Sequence, residues 1–312
     1  MFVLWVILAG LLVLMLGLSI RLRRGLRGTT LTTTANWSIF TAAIWTAAGT
    51  LSAFVFAHNS EVQDQLWYWT AVVSVIPPIA VLGAKRPGSE AWNFFVLLPL
   101  VFVLGWPALT VWTSHGPDAL RVETPVLIGF VLVLVMGCGN YIATRLALPA
   151  LLYALAVVLV LAPCSTVSAG LGISFEAFRL SGTISMLLAT LWSGLILTYR
   201  PETTSGPDRV WNDFRETFGI VWTKRAMDRI NIEFATREQW PAQLGPDGLE
   251  WPTPPTDQQR EHVEARMVYA LHWLLRRFVD PDWIDHRLVS PAGLTEGLNH
   301  GGTKDTKEEH QS

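Results

Sequence analysis

Long apolar runs alternate with short polar breaks as far as residue 199, and then the pattern changes. A helix needs about 20 apolar residues to cross the roughly 30 Å hydrocarbon layer of a bilayer. Seven stretches approach that length: Phe2–Ile20, Trp37–Ala57, Leu66–Leu82, Ala91–Trp112, Pro125–Thr144, Leu146–Cys164 and Ser181–Tyr199. Only Arg145 divides the fifth from the sixth. A charge at mid-bilayer costs about 3 kcal/mol on insertion scales, so Arg145 is expected at a surface, at the tip of a helical hairpin.

After the polar linker PETTSGPD (201–208) the apolar positions take a helical period with charges between them. Ser205 and Asp208 fit a capping pattern with Pro207 in the first turn, which predicts a helix from about Pro207 to Arg237. Trp211, Phe214, Phe218, Val221 and Trp222 share one face, and Arg225 and Arg229 continue it. Beyond Arg225 the stripe moves to Ala226, Met227, Ile230 and Phe234, so the helix either changes what it buries or breaks there. GPDG is placed to close a hairpin from Ala242–Leu244 to Leu249–Trp251. Thr256 and Gln259 make a capping box for a helix whose stripe runs from Val263 to Phe278. Asp280 and Pro281 start a third, short helix. The polar, Gly-rich tail is expected to be disordered.

The pattern therefore predicts an all-α membrane protein. Residues 1–200 form a seven-helix transmembrane bundle, residues 201–290 a small α-helical cytoplasmic domain, and residues 291–312 a tail. Small residues at Ser181, Ser185, Ala189 and Ser193 let helix backbones approach closely. They predict a central seventh span with the second span as its close neighbour. Trp67, Trp69, Trp92 and Trp112 suit the headgroup layer, while Trp45 and Trp106 are expected to pack between helices. Pro77–Pro78, Pro99 and Pro107 free backbone carbonyls that neighbouring helices or water must satisfy.

Charge fixes the direction. Arg21, Arg23, Arg24 and Arg27 follow span one, Lys85 and Arg86 span three, Arg145 span five and Arg200 span seven. The alternate loops carry only Arg121 and Arg179. Basic loops stay inside, which puts the N-terminus outside and the C-terminal region in the cytoplasm. The first span has no basic residue before it and no evident cleavage site, so it reads as a retained anchor rather than a signal peptide.

Composition agrees with two solvents. The chain is 51% hydrophobic and only 15% charged, with a net charge of −2, so nothing global points to nucleic acid. Residues 1–199 carry nine basic and six acidic side chains, residues 200–312 fourteen and nineteen. Arginine outnumbers lysine 19 to 4, a bias of GC-rich bacterial coding, and a bacterial inner membrane is the expected site. Cys138 and Cys164 lie in apolar runs without metal-ligand spacing and read as small buried hydrophobes.

Candidate chemistry is sparse. No Asp, Glu, Lys, Arg or His falls in the core of a predicted span, although ion-coupled carriers usually need one. The last span lacks the Schiff-base lysine of retinal proteins. No phosphate loop, Rossmann fingerprint, Cys-x-x-Cys or HExxH occurs, and no cofactor is expected. Asn140, Thr70 and Ser74 are the polar residues that either bridge helices or line a path. His58 and Glu61 in one outer loop, and His115 and Asp118 in another, are weak metal candidates. Trp211, Phe214, Phe218, Trp222, Arg225 and Arg229 form a candidate cytoplasmic interaction surface, resting either on the downstream helix or on the inner leaflet, with packing on protein favoured.

Two functions follow. The first is an anchor or scaffold, partnered by the bilayer and by a cytoplasmic protein, with an oligomer allowed. The second is a permease or carrier for an uncharged or lipid-like molecule. A third, weaker reading is an outward-facing metal-dependent enzyme.

Overall fold

The computed structural model describes residues 2–86, 88–113, 120–165, 172–198, 206–235 and 242–288. The protein is mostly helical. Its first nine helices are α1 (Phe2–Arg23), α2 (Thr32–Phe54), α3 (Ser60–Ser74), α4 (Ile76–Leu82), α5 (Ser89–Trp92), α6 (Leu98–Thr113), α7 (Thr124–Gly139), α8 (Ala147–Leu161) and α9 (Phe175–Thr198). Five stretches among the described residues are long and apolar enough to cross a membrane: Trp5–Leu26, Ser60–Leu82, Phe94–Val111, Ala147–Cys164 and Phe175–Thr198. Two of the seven expected spans do not qualify. Helix α2 is long, but its threonines, serines and Asn36 lower its hydropathy. Helix α7 has only 16 residues, because the chain leaves the helix at Asn140.

The helices close into a ring. Helix α1 lies along α2, α2 along α3 and α4, α4 against α7, α7 against α8, α8 along α9, and α9 returns to α1. The close neighbour of α9 is thus α8, not α2. A Cβ at Gly182 would lie 2.7 Å from Val160 Cγ1 and 3.1 Å from the Ala156 carbonyl. Ser185 donates to the Leu152 carbonyl across the same seam at 2.8 Å. Small residues permit this approach, and the hydroxyl adds a bond that lipid cannot supply.

The tandem prolines separate α3 from α4. Without N–H groups, Pro77 and Pro78 cannot bond the carbonyls four residues earlier, those of Val73 and Ser74. Thr41 of α2 donates to the Val73 carbonyl at 3.4 Å, and Tyr153 of α8 donates to the Ser74 carbonyl at 2.6 Å. Neighbouring helices therefore repair the break. Trp45 and Trp67 are both interior and meet edge to face at 5.7 Å. Trp67 thus packs between helices, and Trp106, expected between helices, faces outward.

The end of the ring away from residues 206–288 departs from the expected loops. Asn59 caps α3, accepting from the Val62 amide at 3.0 Å, so Glu61, Gln63 and Asp64 belong to a helix. Helix α9 likewise begins at Phe175 and carries Arg179. The Arg179 guanidinium, 6% exposed, pairs with the Asp64 carboxylate and donates to the Gln63 side chain. An ion pair thus ties α3 to α9 inside two of the apolar spans.

Residues 206–288 add α10 (Gly206–Glu233), the strands β1 (Gln243–Gly245) and β2 (Gly248–Glu250), α11 (Asp257–Leu275) and α12 (Pro281–Leu288). The strands form the antiparallel hairpin that GPDG implies, with Leu244 opposite Leu249. Asp208 on α10 anchors it by accepting from the Leu249 amide at 3.1 Å, and burial pushes that carboxyl above its ordinary range. Thr256 and Gln259 complete their capping box. Trp211, Phe214 and Phe218 are fully buried and Trp222 nearly so. Phe278 meets Phe214, Phe218 and Trp222 edge to face, at 5.4, 5.4 and 4.9 Å. Leu31, Val81 and Ala84 from the ring join the same apolar cluster, so these side chains rest on protein.

Removing one partner of a buried ion pair costs about 3–5 kcal/mol. Arg179→Leu should therefore lower the melting temperature of the detergent-solubilised protein sharply, and adding Asp64→Leu should restore part of the loss. A single variant as stable as the parent would refute the tie between α3 and α9.

Candidate functional site

Helix α10 is broken at Gly219, whose φ of 78° and ψ of 179° interrupt the helical ladder. A side chain is unfavourable at that φ, and a Cβ would also sit 2.2 Å from Asn140 Nδ2. Asn140 follows the last turn of α7 and fills the break. Its Nδ2 donates to the Phe218 carbonyl at 3.0 Å. Its Oδ1 accepts from the Val221 amide at 2.9 Å, and its backbone carbonyl accepts from the Ile220 amide at 2.8 Å. One residue thus satisfies three backbone groups that the break would orphan.

Nearby bonds extend the clasp. Tyr141 donates to the Thr217 carbonyl at 3.3 Å, and the Arg145 amide donates to Glu216 at 2.8 Å. Trp222 Nε1 reaches the Val81 carbonyl at 3.1 Å. A second seam pairs the Thr30 amide with the Phe278 carbonyl at 2.8 Å and the Arg86 amide with the Arg277 carbonyl at 2.9 Å. Arg86 also pairs with Asp280 at 2.8 Å. The turns after α1, α4 and α7 therefore all meet residues 206–288.

Held this way, α10 and α12 floor a cavity of about 610 Å³ inside the ring. Helix α1 contributes Met15 and Ser19 to its walls, α2 contributes Thr34, Ser38 and Trp45, and α4 contributes Pro77 and Pro78. Tyr153 of α8 and Met186, Thr190 and Ser193 of α9 complete them. Glu216, Thr217, Trp283 and Arg287 form the floor, and Arg21 and Arg23 from the last turn of α1 stand at the same end. A polar recess of about 440 Å³ adjoins it, sharing Gly25, Trp283 and Arg287.

Four of the wall hydroxyls have committed their protons. Ser19 donates to the Met15 carbonyl, Ser38 to Thr34, Thr190 to Met186 and Ser193 to Ala189, at 2.8–3.1 Å. They present only acceptor lone pairs to an occupant. Charge is confined to the floor end. There Arg287 bonds Asp213 at 2.6 Å and stacks on Trp283 at 3.7 Å. The upper chamber thus suits a ligand part that makes no strong polar demand.

The residues picked from sequence fall elsewhere. Thr70 and Ser74 are fully buried and off the cavity wall. Thr70 bonds its own helix at Leu66, and Ser74 accepts from Trp45 Nε1 at 2.8 Å, so Ser74 bridges α2 and α3. Asn140 joins α7 to α10 rather than lining a path. Of the proposed interaction surface, Trp211, Phe214, Phe218 and Trp222 are interior; only Arg225 and Arg229 face outward, with Arg225 over the Trp222 ring at 5.0 Å. His58 and Glu61 are exposed, and no group of three or more His, Cys, Asp or Glu suited to a metal occurs among the described residues. His115 and Asp118 lie outside the described residues, as do Ser205 and the tail. Sequence reasoning missed Tyr153 and Thr41. The available signal was the tandem proline, which requires two donors from other helices.

The chain matches no protein-family model, no curated protein and no solved structure.

Asn140→Ala would leave buried backbone groups unpaired at about 1–3 kcal/mol each. It should free α10 from α7 and speed proteolysis within residues 206–288 of the intact protein, with Gly219→Val acting in the same direction. Unchanged cleavage in both variants would rule out the clasp.

Proposed function

We propose that the protein holds a lipid-like molecule within its transmembrane ring and serves as its binding protein or carrier. The chamber carries the reading. Its volume lies in the roughly 300–1,000 Å³ range of small-molecule sites, and its walls are apolar with a few hydroxyls. The charged end is where a molecule with one polar terminus would place it.

In this reading α2 and α7 cross the bilayer together with the five more apolar stretches. That gives seven crossings in a bacterial inner membrane, with the N-terminus outside. Two observations support the direction. Arg86 and the Arg145 amide both contact residues 206–288, so basic turns and the C-terminal region share one end. Trp5 on α1 meets Glu176 on α9 at 3.2 Å at the other end. Residues 206–288 then form a cytoplasmic domain that closes the chamber from below.

The anchor reading keeps one specific support. Tyr269 and Trp273, four residues apart on α11, are 67% and 40% exposed and offer a partner protein an aromatic face. The stripe from Trp211 to Trp222 cannot serve, because it is already buried.

Native mass spectrometry of the full chain, released from membranes in mild detergent, tests the chamber. The protein should retain a lipid-like adduct. Ser193→Phe, which fills the cavity, should lose that adduct while keeping its helical content. A parent protein that carries and accepts no such molecule would refute the proposal.

A further inference from the structure

The charges around the chamber are unbalanced, and the imbalance specifies the ligand. At the floor, Glu216 is answered by the Arg145 amide and by Arg215, 3.5 Å away. Arg287 is answered by Asp213. The adjoining recess holds Arg27 and Arg287 against Asp280 and Asp282, so both signs are present there. Arg21 and Arg23 remain. Both line the chamber, both are exposed, and neither has an ion-pair partner among the described residues. Above them Ser19, Ser38, Thr190 and Ser193 offer acceptors, because their hydroxyl protons are spent on helix carbonyls.

We propose that the chamber is selective for an anionic amphiphile. Its alkyl chain lies among Met15, Trp45, Pro78 and Met186, and its phosphate or carboxylate head lies against Arg21 and Arg23. The inference rests on the chamber being a ligand site and adds the charge of the head. Guanidinium groups are suited to both anions because they donate two parallel N–H bonds to phosphate or carboxylate oxygens. A cationic head would meet like charge at the entrance. A neutral head would leave the two arginines to solvent and gain nothing from them. The same head chemistry occurs on a bilayer phospholipid and on a free fatty acid, and the test separates these sources.

The full chain in non-ionic detergent is offered phosphatidylglycerol, phosphatidylcholine with identical chains, or palmitic acid, and retention is read by native mass spectrometry. The parent should retain phosphatidylglycerol about tenfold more strongly than phosphatidylcholine, the scale of one charge-assisted contact. R21Q/R23Q should abolish that preference, bringing phosphatidylglycerol retention down to the level of phosphatidylcholine. Preference for palmitic acid alone, lost in the same variant, supports the same head chemistry from the free-acid source. Ser193→Phe must remove the preference as well; a preference that survives cavity filling belongs to lipids around the outside and overturns the inference. Equal retention of both phospholipids, with no palmitic acid retained, overturns the anionic inference while leaving the chamber a ligand site. Retention of none of the three probes, before or after cavity filling, defeats both.

Discussion

A broken helix must find partners for the backbone groups that the break exposes, and in this protein a single asparagine supplies three of them. Gly219 turns the chain out of helical geometry in the middle of α10. Asn140 answers with its side-chain amide, its side-chain carbonyl and its backbone carbonyl. Each bond contributes about 1 kcal/mol net, but each unmet group would cost more, so the clasp is held chiefly by what its loss would expose. The remaining geometry at that end depends on it. It sets the height of Glu216 and Thr217 under the ring, turns Trp211, Phe214 and Phe218 towards Phe278, and brings Trp222 to the Val81 carbonyl.

The chamber above follows from a second broken helix. Tandem prolines at 77 and 78 prevent α3 and α4 from joining smoothly, and Thr41 and Tyr153 are drawn in to satisfy the freed carbonyls. Thr41, Tyr153 and both prolines line the cavity. Space inside the ring and satisfaction of the backbone are thus two aspects of one arrangement. Ser19, Ser38, Thr190 and Ser193 bond to their own helices, which keeps the walls tolerant of an apolar chain. Charge collects only at the floor end, on the last turn of α1 and on α10 and α12.

Much of the fold was legible because it is local. Apolar runs, the capping box at Thr256, the GPDG hairpin and the stripe from Val263 to Phe278 need only neighbours in sequence. The sequence reading also located a change of face in α10, although it set the break near Arg225 rather than at Gly219, since a glycine inside an apolar stripe gives no periodic signal. What escaped was long-range. Asp64 and Arg179 read as loop residues because each is costly alone in an apolar helix; only their pairing, 115 residues apart, extends both helices to include them. Asn140 read as a polar residue within a span, because its partners lie about eighty residues downstream. The site was less legible than the fold for the same reason. A cavity wall assembled from several helices has no signature in any one of them.

The central claim is that the α7 end and the broken α10 form one hydrogen-bonded unit in the intact protein. Hydrogen–deuterium exchange at the Ile220 and Val221 amides reports on it directly. Both lie just after the break, where a free helix start would leave its first amides open to solvent. The account predicts slow exchange at both positions, comparable with the interior of α11. Exchange at the rate of an unprotected helix terminus would contradict it.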